Sequence, residues 1–167
     1  RFTFIASNFR QLQQYLRFYC VTEVDGILAD LGVSSHQFDT GERGFSFRYN
    51  AALDMRMEQD ADQTAADLLN HLSADELQQL FSAYGEVRNA KTIAQAIVLN
   101  RALKPFEYIE DLLSSLEPHI RGQRARYLAQ VFQALRIAVN DEIGALSDLL
   151  SQATTLLTPG GRLVVMS

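Results

Sequence analysis

Val24-Asp25-Gly26-Ile27-Leu28-Ala29-Asp30-Leu31-Gly32 is the stretch that decides how this chain is read. A short, almost continuous apolar run ending in Asp and Gly is the pattern of a strand buried on both faces. Such strands belong to parallel sheets. Asp30 then stands where the strand meets a loop, at the C-terminal edge of the sheet. In an open α/β sheet that edge is where ligands bind. A carboxylate there can accept hydrogen bonds from a ligand amine or hydroxyl. It can equally cap the next turn, and spacing alone does not separate the two. The loop Gly32-Val33-Ser34-Ser35-His36-Gln37 adds polar side chains that can wrap a small polar ligand. It is not a phosphate-binding P-loop, and no G-x-G-x-x-G occurs anywhere in the chain.

Ahead of this strand, Phe2-Thr3-Phe4-Ile5 is β-rich, and Phe9, Leu12 and Leu16 recur at near-helical spacing. Downstream of it, residues 34–57 are rich in Gly, Ser, Asp and Arg and hold no period, which is long for an idle loop. Helices follow. Thr64-Ala65-Ala66-Asp67 and Ser73-Ala74-Asp75-Glu76 read as capping boxes, and Gly85 suits a helix end. A helix over 86–103 stops at Pro105, and a shorter one over 108–116 stops at Pro118. Residues 121–126 read as a basic loop. A long helix over 127–157, broken near Gly144, leads through the Thr158-Pro159-Gly160-Gly161 turn to a last strand over 162–167.

The plan is strand, helix, strand, helical block, long helix, strand. It predicts an α/β fold, a parallel sheet with a helical insertion at the C-terminal end of the second strand. The expected divisions are 1–33 as the first part of the core, 34–122 as the insertion and 123–167 as the second part of the core. Because the chain opens on Arg1 and both ends read as strands, we expect a piece of a longer protein.

Composition bounds the function only broadly. A net charge of −5 argues against indiscriminate nucleic-acid binding, though not against a local basic face. The single cysteine, Cys20, allows no internal disulfide and reads as a small hydrophobe. That usage fits a reducing cytoplasm. His36, His71 and His119 show no metal-ligand spacing, so no metal site is expected. No apolar run approaches a membrane span.

Three further stretches carry candidate chemistry. Arg43-Gly44-Phe45-Ser46-Phe47-Arg48-Tyr49 mixes cations and aromatics, as RNA-binding loops do. The plainer reading anchors its Phe residues in the core and pairs Arg43 with an acid. Leu53-Asp54-Met55-Arg56-Met57 reads first as a structural ion pair under a loop. Arg136 and Asn140 lie one turn apart on a helix face, and Arg121, Arg124 and Arg126 either bind a phosphate backbone or form a solvated basic loop.

Taken together, these stretches resemble one family, the ribosomal RNA small-subunit methyltransferase H group, also called RsmH or MraW. The matching motifs are Asp30-Leu31-Gly32-Val33-Ser34-Ser35-x-Gln37-Phe38-Asp39, Arg43-Gly44-Phe45-Ser46-Phe47 and Leu53-Asp54-Met55-Arg56-Met57. They continue with Tyr84-Gly85-Glu86, Ala90-Lys91-x-Ile93-Ala94, and Phe132-Gln133-Ala134-Leu135-Arg136-Ile137-x-Val139-Asn140-x-Glu142. The last is Leu157-x-Pro159-Gly160-Gly161-Arg162-Leu163. Each is weak alone, but their order over nearly the whole chain is specific.

The resemblance implies a Rossmann-like class I methyltransferase sheet, incomplete over these residues, with an inserted helical domain. It implies S-adenosylmethionine-dependent N4-methylation of a cytidine in the decoding region of 16S ribosomal RNA, within the small ribosomal subunit in the cytoplasm. It implies cofactor contacts from Phe9, Asp30 and Gln37. The family's glycine-rich loop would lie before Arg1. Candidate substrate contacts are Arg43, Arg48, Arg56, Lys91, Arg136 and Asn140, and no catalytic base is assigned. As a fragment alone the chain is expected to be inactive, with low cofactor affinity, and to form a homodimer by strand exchange or be unstable. The competing reading is a non-catalytic helical binding or dimerisation module on a degenerate Rossmann half. A third is a methyltransferase acting on another base or on protein.

Overall fold

A computed structural model describes residues 2–32 and 43–166. In chain order its elements are α1 (Leu12–Phe18, entered through a 3-10 turn at Phe9–Gln11), β1 (Val24–Asp30), α2 (Ala65–His71), α3 (Ala74–Gly85), α4 (Ala90–Leu103), α5 (Ile109–Leu116, followed by a 3-10 turn at Glu117–His119), α6 (Arg124–Val139), α7 (Glu142–Leu156) and β2 (Leu157–Met166). The fold is mixed α/β, as expected, with two strands that pair in parallel. The described residues form two compact units, 2–32 with 141–166, and 43–140.

In the strand unit, Ile27, Leu28 and Asp30 of β1 stand opposite Leu163, Val164 and Met166 of β2. Both strands run the same way, so their C-terminal ends share one sheet edge. The backbone N–H of Leu31 extends the ladder there, donating to the Met166 carbonyl at 2.8 Å. Three expectations change. β1 is not buried on both faces, and Leu28 is 69% exposed. Burial on both faces needs flanking strands and two covering layers, and the described sheet has two strands. The Phe2–Ile5 stretch forms no strand, since no described strand pairs with it, and Phe2 and Phe4 lie exposed. The Pro-Gly-Gly segment is not a turn ahead of β2 but an irregularity within it. Between the pairs Val24–Leu157 and Gly26–Arg162, β1 advances two residues while β2 advances five. Gly160, with φ +88°, takes up the excess.

The long helix breaks at Asn140–Asp141 rather than near Gly144. Asp141 takes a left-handed φ of +44°, and α7 restarts when the Ala145 N–H donates to the Asp141 carbonyl. Gly144 serves a different purpose. A Cβ there would meet the Asp141 carboxylate and, at 2.5 Å, Nη2 of Arg10, so its absence leaves room for the Arg10–Asp141 ion pair at 2.6 Å. The structure also divides the chain at 140/141, whereas the sequence reading put the core's second part at 123. Helix α6 buries Tyr127, Leu128, Val131, Phe132, Ala134 and Leu135 inside the helical unit, so its packing places it there.

The core of the helical unit is a single apolar cluster that includes Leu53, Leu69, Leu77, Phe81, Ile93, Ile97, Ile109, Leu112, Leu116, Leu128 and Leu135. Both capping boxes form. Thr64 Oγ1 accepts the Asp67 N–H while the Asp67 carboxylate accepts the Thr64 N–H, and Ser73 and Glu76 repeat the exchange. Gly85 is the last residue of α3, and the left-handed position after it is filled by Glu86. Gly85 is needed for close approach: a Cβ on it would lie 2.7 Å from the Gln130 carbonyl oxygen of α6. Helix α4 accordingly starts at Ala90 rather than at 86, and Arg124 and Arg126 lie in the first turn of α6 rather than in a loop. Among the described residues no helix is long and apolar enough to cross a membrane.

Candidate functional site

Two regions hold most of the expected site residues. The first is the C-terminal edge of the strand unit. Asp30 ends β1 with an exposed carboxylate that makes no hydrogen bond or ion pair with a described residue. Phe9 opens the 3-10 turn and is 39% exposed. Asn8 caps that turn through its Oδ1, which accepts the Arg10 N–H at 3.0 Å. Helix α7 then fastens the segment. Gln152 accepts the Gln13 N–H at 2.8 Å and donates to the Arg10 carbonyl at 2.9 Å. Nε of Arg10 lies 2.7 Å from Asp148, an ion pair out of line for a hydrogen bond. Phe9 is thus held by its neighbours while its ring stays available. Gln37 lies outside the described residues.

The second region is the loop 43–57 of the helical unit. Gly44 is buried with φ +76°, and a Cβ there would strike the Ala52 carbonyl and come within 3.1 Å of the Asp54 nitrogen. Only glycine lets the two stretches cross this closely. Phe45 is thereby buried, and Phe47 packs edge-to-face on Phe132 of α6 at a centroid distance of 5.6 Å.

The loop's charged residues divide into two kinds. Arg43 donates to the carbonyls of Arg56 (2.6 Å) and Met57 (3.1 Å), and its guanidinium lies 5.6 Å from the Phe45 ring centroid. Arg56 grips Asp54 through Nε at 2.7 Å and Nη2 at 2.9 Å and donates to the Ala61 carbonyl at 2.7 Å. This bidentate contact holds the Asp54 carboxyl below its usual range, against a smaller opposing effect of burial. Asn140 spends its amide on Met57, Met55 and Arg136 backbone atoms. Three of the six expected substrate contacts, Arg43, Arg56 and Asn140, therefore hold the loop in shape. The plainer reading of the Asp54–Arg56 pair is the one the structure displays.

Arg48 and Arg136 sit differently. With Phe45, Phe47, Tyr49, Met55, Phe132 and Gln133 they line a cavity of about 370 Å³. Tyr49 is half exposed, while Phe45 and Met55 are buried. The result is an apolar, aromatic-walled recess with guanidiniums and an amide on its lining. Lys91, on the exposed face of the first turn of α4, is not among the lining residues. Sequence reasoning missed Phe132 and Gln133 as partners of this loop, because only tertiary packing brings α6 against it. Among the described residues no group of three or more His, Cys, Asp or Glu could hold a metal ion.

The family model of the MraW methylase family matches residues 1–167. The chain belongs to the MraW methylase family. It is 53% identical over 167 residues to the ribosomal RNA small subunit methyltransferase H of Cytophaga hutchinsonii, covering 99% of this chain and 56% of that protein. Its identity to the enzyme of the same name is 52% in Phocaeicola vulgatus (100% and 55% covered) and 50% in Parabacteroides distasonis (100% and 55% covered). The chain thus spans little more than half the length of these relatives. Within the MraW methylase family the α/β fold is Rossmann-like, which accounts for the parallel pairing of β1 and β2.

Proposed function

We propose that this chain is part of an enzyme that uses S-adenosylmethionine to methylate N4 of a cytidine in the decoding region of 16S ribosomal RNA. Its membership of the MraW methylase family and the names of its relatives support methylation of small-subunit ribosomal RNA. The single observation that carries the reading further is the recess walled by Phe45, Phe47, Tyr49 and Phe132 with Arg48, Arg136 and Gln133 on its lining. Unstacked bases are held between aromatic rings and guanidinium planes, and their edges are read by amides.

The strand-unit edge fits the other half of the requirement. A carboxylate without a described partner at the end of a parallel strand can accept from a ribose hydroxyl or an amine, and a half-exposed ring beside a fixed turn can stack on a purine. Asp30, Phe9 and Gln37 would hold the cofactor, which supplies an electrophilic methyl on a sulfonium. What the protein adds is chiefly position, since the attacking nitrogen must lie in line with the methyl at about 3 to 3.5 Å. The exocyclic amine of cytosine is a weak nucleophile because its lone pair is delocalised into the ring. A hydrogen-bond acceptor at that amine would localise the pair and take the proton.

The test is an assay of the full-length protein on unmethylated small subunits with labelled S-adenosylmethionine. Label recovered as N4-methylcytidine supports the proposal. Label on another base or on protein, or no transfer, defeats it.

A further inference from the structure

We propose that a second, basic cleft in the helical unit takes the phosphodiester backbone of the same RNA strand whose base enters the aromatic recess. The inference rests on the RNA-methylating reading given above and adds a separate contact to it. The cleft has a volume of about 500 Å³ and lies where the starts of α4 and α6 come together. Arg88, Arg121 and Arg126 line it, with the neutral side chains of Gln123 and Gln130 and with one acid, Glu86.

The arginines are the anomaly. The chain has 20 acidic residues against 15 Lys and Arg, so a cation has no shortage of acids to pair with. The neighbouring Arg124 does pair, with Glu117 at 3.1 Å, and it is not on the cleft lining. Arg88, Arg121 and Arg126 are exposed and make no ion pair or side-chain hydrogen bond with a described residue. Three guanidiniums converging with a single carboxylate leave a local excess of positive charge on an acidic chain. The helix starts reinforce it: α4 and α6 carry no acid in their first turns, whereas α2, α3 and α5 each do. The base of the cleft is rigid, because Tyr127 donates to the buried Asn89 at 3.0 Å and Asn89 donates to the His119 carbonyl at 2.9 Å.

Charge and geometry point to phosphate. Guanidinium forks match non-bridging phosphate oxygens in pairs, and the flanking amides can reach ribose hydroxyls. The cleft and the aromatic recess also share one helix for part of their lining. Arg126, Ala129, Gln130 and Gln133 follow i, i+3, i+4, i+7 on α6 and form one stripe. Arg126 and Gln130 line the cleft, while Ala129 and Gln133 line the recess. The stripe spans two turns, about 10 Å of axis, so one strand can touch both.

The experiment uses the full-length protein and a fluorescently labelled single-stranded RNA of the decoding region. Binding is measured across a salt series for wild type, for Arg88→Gln/Arg121→Gln/Arg126→Gln and for Arg124→Gln, with S-adenosylmethionine affinity as the check on folding. The triple variant should bind RNA at least about tenfold more weakly. Its slope of log affinity against log salt should be shallower by about 0.7 for each phosphate no longer neutralised. Restoring charge as Arg88→Lys/Arg121→Lys/Arg126→Lys should recover most of that slope, and Arg124→Gln should match wild type. An unchanged slope and affinity in the triple glutamine variant of a protein that still methylates subunits overturns the cleft while leaving the activity standing. A wild-type protein that neither binds this RNA nor methylates subunits overturns both.

Discussion

Asn140 Oδ1 accepts the backbone N–H of Met57 at 2.6 Å, while its Nδ2 donates to the carbonyls of Met55 at 2.8 Å and Arg136 at 2.9 Å. One amide at the end of α6 thus clamps the loop that forms part of the aromatic recess. Met55 needs the clamp, since it is fully buried with a left-handed φ of +60°, a conformation that costs a non-glycine residue free energy. Asn140→Ala should destabilise the helical unit by about 2 kcal/mol, the scale of a buried polar group left without its hydrogen bond. Chemical denaturation followed by far-UV circular dichroism measures this, and a change below about 0.5 kcal/mol would refute the clamp.

Gly44 and Gly122 share a φ of +76° but not their surroundings. A Cβ on Gly44 would strike the Ala52 carbonyl, while one on Gly122 meets nothing within 4 Å. Gly122→Ala should cost only the left-handed penalty, about 1 kcal/mol. Gly44→Ala adds overpacking of about 1–3 kcal/mol. Equal costs in denaturant titrations would show that crowding at Gly44 is relieved cheaply.

Acid should weaken the helical unit through named carboxylates. Hydrogen bonds from Arg56 to Asp54, from Thr64 to Asp67 and from Ser73 to Glu76 hold all three below their ordinary values. A depressed carboxylate contributes stability above its unfolded value, about pH 4, and loses it as pH falls through the folded one. The expected curve is flat near neutrality and drops below about pH 4. Asp54→Asn should lower the plateau and make the acid drop shallower. The same drop with a lower plateau would mean that Asp54 does not titrate in this window.

Asp30→Ala in the full-length protein should weaken S-adenosylmethionine binding at least tenfold, about 1.4 kcal/mol, at the lower end of the worth of a charge-assisted hydrogen bond. Asp30→Asn should recover part of the loss if acceptance alone is used. Titration calorimetry separates these, and wild-type affinity in the alanine variant would remove Asp30 from the proposed cofactor contacts.

Tyr49→Ala should weaken binding of unmethylated small subunits by about 1–3 kcal/mol, the worth of one base–aromatic stack. Cofactor affinity should not change, because Tyr49 is not among the residues proposed to hold the cofactor. Loss of both affinities would point to a folding defect rather than a missing stack.

How much of this is legible in the sequence differs by element. The capping boxes at Thr64 and Ser73 form as their residues predict, because both partners lie within four consecutive residues and the exchange depends on local backbone geometry alone. The β1 stretch declares itself a strand by its apolar run, but its exposure depends on how many strands flank it. Gly85 is recognisable as a helix-end residue, yet its purpose, the approach of the Gln130 carbonyl, involves a partner far along the chain.

The sequence by itself determined the α/β class, the capped helices, the strand ending at Asp30 and the family, because each is written in local periodicity or in ordered motifs. Only the tertiary structure decided that Arg43, Arg56 and Asn140 brace a loop, that Phe132 and Gln133 join Phe47 and Arg48 around a recess, and that three arginines converge at the starts of α4 and α6. The physical reason is the same in each case. A side chain's role follows from what stands opposite it, and folding brings those partners together across long stretches of chain, 85 residues for Met55 and Asn140.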